Sequence, residues 1–122
     1  RGSHDTLMDV LDSGLGAFLK DLGQSPAGKE TLVLVFSEFG RRVAENGSGG
    51  TDHGKAGPMF LLGPSVKGGL YGKHPSLDDL DKGDLASTTD FRSVYGELIE
   101  HWFKTPHEAV LGKEYPLLPL LS

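Results

Sequence analysis

The feature that most constrains this chain is the run Thr31-Leu32-Val33-Leu34-Val35-Phe36 and the polar stretch Ser37-Glu38-Phe39-Gly40-Arg41-Arg42 that ends it. A continuous apolar run rich in strand formers suits a strand buried on both faces, as in a parallel sheet covered by helices. Polar groups just past the carboxyl end of such a strand stand where open α/β sheets hold their ligands.

The flanking segments fit a layered α/β chain. Leu7, Leu11, Leu15, Phe18, Leu19 and Leu22 recur at three- and four-residue steps, which predicts a helix over 5–22. Asp5 can cap it and Gly23 can close it in a left-handed turn, so it reads as a covering layer without chemistry of its own. Pro58-Met59-Phe60-Leu61-Leu62 reads as a second strand, with proline tolerated at its first position. Gly68-Gly69-Leu70-Tyr71-Gly72 reads as a short edge strand or hairpin arm, and the acidic residues 75–88 as a surface loop. A second helix is expected over 90–103, with Phe91, Val94, Tyr95, Leu98, Ile99 and Trp102 on one face and Thr89 or Asp90 as cap. Thr105-Pro106-His107-Glu108 has the form of a capping box for a short third helix ended by Gly112. The apolar tail from Pro116 to Leu121 should dock on the body.

Composition narrows the function classes. A chain of 122 residues, 37% hydrophobic and 24% charged, is the size and make-up of one globular domain. Its net charge of −5 argues against nucleic acid as the main partner, since duplex binding needs a basic stripe. With no cysteine, disulfides, thiolate nucleophiles and thiolate metal sites are all excluded. No stretch approaches the roughly 20 apolar residues of a membrane span, and no signal-peptide pattern is present. Arg1-Gly2-Ser3-His4 looks like the remnant of a cleaved purification tag, so residues 5–122 are taken as a single α/β domain or a piece of a larger one.

Three candidate metal ligands lie close in sequence: Glu38, Asp52 and His53. Carboxylate and imidazole donors suit zinc, manganese or calcium between them. The glycines at 47, 49, 50 and 54 would let the backbone turn sharply enough to bring the two neighbours into one region. The alternative is a polar loop in which Asp52 caps a turn and His53 faces solvent. A carboxylate directly after an apolar strand should be partly buried and need a cation or donor, and Arg41 or Arg42 offers one. Arg41 is equally suited to bind a phosphate, sulfate or carboxylate through its planar fork. Ser37 is more often a turn residue than a nucleophile in such a place, and His74, His101 and His107 read as solvated or packing residues. The acidic residues between Asp78 and Asp84 lack the EF-hand pattern.

The motifs Val35-Phe36-Ser37-Glu38-Phe39-Gly40-Arg41, Gly50-Thr51-Asp52-His53-Gly54, Gly68-Gly69, Thr89-Asp90-Phe91-Arg92-Ser93-Val94-Tyr95 and His101-Trp102 together resemble the C-terminal part of a bacterial family of unknown function, the domain family numbered 1501. That family in turn resembles the alkaline phosphatase and sulfatase superfamily. The resemblance implies a three-layer α/β/α sandwich and metal-dependent hydrolysis of phosphate or sulfate esters by the intact protein. It also implies an anionic small-molecule or glycan substrate and a periplasmic or secreted location. By this likeness Glu38 stands at the strand end where relatives carry Asp-His-Gly, and His53 matches a later metal-binding histidine. Ligands and a nucleophile beyond these would lie outside this chain, so it is expected to be inactive by itself. Apolar helix faces and an open sheet edge would then drive it to form homo-oligomers. The alternative is a non-catalytic, secreted binding or assembly domain that keeps the scaffold.

Overall fold

The apolar steps of the N-terminal segment form helix α1, Gly2–Leu22, in the computed structural model, which describes residues 2–122. It starts before Asp5, so that residue sits inside the first turn, where its charge still suits the helix dipole. Gly23 donates its N–H to Leu19 O at 2.9 Å and ends the helix without a positive φ. Every residue from 3 to 14 is exposed, and only Leu15, Leu19 and Leu22 of the stripe are half-buried. The expected covering layer is therefore a projecting helix that touches the rest of the chain near its C-terminal end. A 3-10 turn, Pro26–Glu30, follows, with Ser25 Oγ accepting from Gly28 N at 3.1 Å.

Strand β1, Val33–Val35, pairs antiparallel with β4, Phe60–Leu62, with Leu34 opposite Leu61. Between them lies a hairpin of β2, Gly40–Glu45, and β3, Thr51–Gly54. A small hairpin, β5 Leu80–Asp81 and β6 Asp84–Leu85, turns through Lys82 at φ 56° and Gly83 at φ 84°. The chain is thus mixed helix and small antiparallel sheets. The expected two-sided burial of β1 does not occur: its residues are half-buried, because a single antiparallel neighbour and one packed face cover it. The stretch 68–72 forms no ladder, and Leu70 is fully exposed. With three glycines in five residues it has little to pack.

Helix α2, Phe91–Glu97, begins at Asp90, whose side chain accepts the N–H of Arg92 at 2.9 Å. It runs on into a π-helical turn, Leu98–Trp102, in which Phe103 N reaches back to Leu98 O at 3.0 Å. Helix α3, His107–Leu111, starts after Pro106, and Gly112 ends it at φ 79° with its N–H on Glu108 O. The expected capping box is not made, since Thr105 Oγ1 bonds to Phe103 O instead. Val94, Leu120 and Leu121 form the buried centre of the core. Leu34 and Leu61 of the β1–β4 pair, Leu98 and Trp102 of the π turn, and Met59, Val66 and Leu118 pack against it.

Asp90 binds Arg92 with both carboxylate oxygens, at 2.9 and 2.7 Å. These bonds, together with the Arg92 N–H, lower its carboxyl to about 2. The folded value lies below the unfolded one, so the stabilisation is full above about pH 4 and fades as pH falls through about 2. Asp90→Ala should cost about 1 kcal/mol, typical of a lost N-cap, or roughly 4 °C in Tm. Thermal melts should show that deficit at pH 7 and a clearly smaller one at pH 2. A deficit independent of pH would assign the effect to something other than the carboxylate.

Candidate functional site

The sequence motif after β1 folds outward. Phe36, Ser37 and Glu38 are exposed, with the Phe36 ring edge-on to Tyr95 at 6.2 Å. Ser37 Oγ accepts from Phe39 N at 3.4 Å, a turn contact and not a base-paired nucleophile. Glu38 is not partly buried as expected. The strand stops at Val35, and the chain leaves the sheet before the carboxylate is reached. Its side chain has no hydrogen bond or ion pair among the described residues, so the expected pairing with Arg41 or Arg42 is not made.

The β2–β3 hairpin organises the rest. Gly40 faces Gly54 and Arg41 faces His53, with an irregularity before Glu45 meets Thr51. Residues two apart on a strand share a face, and direct cross-strand partners do too. Phe39, Arg41 and His53 accordingly come together. The rings of Phe39 and His53 stack at 3.6 Å and 9°, and the Arg41 guanidinium lies 5.2 Å from the centre of the Phe39 ring. Arg41 Nη1 donates to Thr51 O at 2.9 Å. Its other N–H groups have no hydrogen-bond partner among the described residues. Thr51 Oγ1, two residues before His53, is buried and unpartnered.

Asp52 goes elsewhere. Neighbouring strand residues project to opposite faces, and Asp52 Oδ1 accepts from Asn46 Nδ2 at 2.9 Å. Asn46 Oδ1 in turn accepts from Ser48 N, Ser48 Oγ and Gly50 N, which makes it the organiser of the glycine-rich loop. Asp52 thus partners an asparagine side chain where a backbone group was expected. Among the described residues no group of three or more histidine, aspartate or glutamate side chains is arranged to hold a metal ion. The geometry sets Arg41 opposite His53, sends Asp52 to the other face of the strand, and leaves Glu38 without a hydrogen-bond or ion-pair partner among the described residues.

The hairpin is braced from behind. Arg42 Nε donates to Asp84 Oδ1 at 2.9 Å, and Lys55 pairs with Asp81. Two of the carboxylates in the acidic loop are thereby neutralised by cations. Sequence reading missed a second polar cluster at α2 and the π turn. Glu97 is 3% exposed and takes Leu121 N at 3.3 Å and His101 Nδ1 at 3.0 Å. His107, expected at the surface, is 8% exposed and lies between Glu100 and Tyr115. The available signal was Glu97 itself, a carboxylate one turn from Val94 on the apolar stripe of the helix.

Residues 1–101 match the family described as "Protein of unknown function (DUF1501)". The chain belongs to this family. The matched span takes in α1, the six strands, α2 and most of the π turn of this DUF1501 chain, and both halves of the Arg41–His53 pair. No curated protein and no solved structure matches it.

Proposed function

We propose that this chain is part of a protein acting on phosphate or sulfate esters, and that the Arg41–His53 face of the hairpin holds the anionic group. The observation that carries this is the register, which sets Arg41 directly opposite His53 on an exposed face. A guanidinium with N–H groups to spare can take two oxygens of a tetrahedral anion at once. The imidazole N–H across the hairpin adds a donor. An anionic small molecule or sulfated glycan has the matching chemistry.

The divalent-metal reading assigns Glu38, Asp52 and His53 as the donors this chain would offer to zinc, manganese or calcium. The described residues do not supply a complete coordination shell. In the same reading the β1–β4 pair would belong to a larger three-layer sandwich, and the protein would work outside the cytoplasm. A non-catalytic scaffold is favoured by one observation, the use of Asp52 and Arg41 in bonds that shape the hairpin itself.

Calorimetric titration of inorganic sulfate and phosphate into the protein tests the anion site. Arg41→Ala should weaken binding about tenfold or more, since a hydrogen bond to a charged group contributes about 1.5–3 kcal/mol. His53→Ala should weaken it less. Equal affinities in all three proteins would exclude the site. Metal content by elemental analysis separates the remaining readings: a divalent ion lost with His53→Ala favours the metal role. Metal-independent absence of ester turnover favours the scaffold.

A further inference from the structure

The C-terminal segment, residues 115–122, lies across the core as a strap. Its far end is held several times over. Lys67 N donates to Leu120 O at 2.8 Å, Ser122 N to Ser65 O at 2.9 Å, and Val66 bridges Leu121 antiparallel. Leu121 N also donates to the buried Glu97 Oε1, and Leu120 and Leu121 are core residues. The near end is held differently. Tyr115 N donates to an imidazole nitrogen, Nε2 of His107, at 3.1 Å, and this contact is buried.

The other face of that imidazole fixes its tautomer. His107 Nδ1 lies 2.6 Å from Glu100 Oε2, which also accepts the His107 backbone N–H at 3.2 Å. A carboxylate accepts, so Nδ1 carries the proton, and Nε2 offers a lone pair to Tyr115. A second proton, on Nε2, would set N–H against N–H. At the same time it would turn the Glu100 contact into an ion pair. One side of the ring gains by protonation and the other loses its bond.

We propose that protonation of His107 unlatches the Tyr115 end of the strap while the Leu121 end stays docked. The charged groups around the latch fit this. Glu100 faces the ring from the π turn, and Glu108 is its neighbour on α3. Arg92 of α2 lies 4.7 Å from the centre of the Tyr115 ring and Lys113 5.0 Å. Arg92 is itself paired with Asp90. The His107 hydrogen bond holds the Glu100 carboxyl below its ordinary range, so it remains an acceptor while imidazoles titrate. A protonated Nε2 cannot accept the Tyr115 N–H, whereas the open form needs no such acceptor. Opening is therefore favoured as pH falls.

Amide hydrogen exchange read by NMR on the intact chain tests the latch. Protection factors, which remove the intrinsic pH dependence of exchange, should fall at least tenfold for Tyr115 between pH 7.5 and 5.5. Those of Leu98 in the helix and Leu121 at the far end should hold steady. His107→Gln keeps an acceptor for Tyr115 without a titrating ring and should make Tyr115 protection independent of pH. If that variant does not fold, the imidazole nitrogen shifts of the unaltered protein serve instead, with Nε2 gaining its proton over the range in which Tyr115 opens. A constant Tyr115 protection factor would overturn the latch. So would a fall shared equally by Leu98 and Leu121, which is global unfolding.

Discussion

Replacing Leu11 and Phe18 together by aspartate should leave a monomer, for we propose that the exposed apolar face of helix α1 pairs with a second copy of the chain. Helix α1 is about 31 Å long, and Leu7, Met8, Val10, Leu11 and Phe18 along it are 60%, 56%, 65%, 41% and 50% exposed. Positions 7, 11, 15, 18 and 22 follow steps of three and four, the spacing of a helix–helix seam. A second copy laid antiparallel would bring Asp5, Asp9 and Asp12 toward the Lys20-Asp21 end of its partner and away from the partner's own Asp5, Asp9 and Asp12. Burying a leucine or phenylalanine side chain stabilises by about 1.5–3 kcal/mol, and a symmetric pair counts each twice. Losing even about 4 kcal/mol weakens association roughly a thousandfold. Sedimentation equilibrium over a wide concentration range reads this directly. A chain that is already monomeric at the highest concentration would defeat the proposal.

Gly40→Ala should be the most damaging single methyl in the hairpin. A Cβ at Gly40 would lie 1.6 Å from Ala56 O and 2.2 Å from Ala56 C. Both are backbone atoms, so the clash cannot be relieved by rotating a side chain. The strand must part from the 56–57 segment, which also moves Arg41 relative to His53. The expected cost is at or beyond the upper end of the usual overpacking range of about 1–3 kcal/mol. That corresponds to roughly 10 °C or more in Tm for a chain of this size. Gly47→Ala is the control: its Cβ would meet nothing within 4 Å, and its effect should stay within about 0.5 kcal/mol. Equal melting of the two variants would show that the close approach at Gly40 can relax. Anion binding should be weakened in the Gly40 variant and unchanged in the Gly47 variant.

The parts of the fold that were legible are those fixed by local chemistry. The stripe of α1, the Asp90 cap of α2 and the Gly112 end of α3 depend on residues within a turn of one another, and all appear. The β2–β3 hairpin leaves little trace in the sequence because its residues Arg41, Arg42, Glu45, Asp52 and His53 are polar on both faces. A hairpin whose faces both meet solvent leaves little alternation to detect. The β5–β6 turn was hidden in an acidic segment for the same reason.

The candidate site divides the same way. Residue types alone pointed to Glu38, Arg41, Asp52 and His53, since strand ends and glycine-rich loops are where such groups do chemistry. Which of them meet is a matter of register. A strand sends Asp52 and His53 to opposite faces, and the pairing of Arg41 with His53 is decided by a contact between two segments. His107 shows the limit most clearly: its place in a first helical turn suggested solvent, and the fold buried it between Glu100 and Tyr115. Period and local sterics are enough to place the helices, the 31–36 run in a sheet and the polar cluster beyond it. Which polar side chains face one another and which are buried follows from the packing of segments distant along the chain, as His107 against Glu100 and Tyr115 and Arg41 against His53 show.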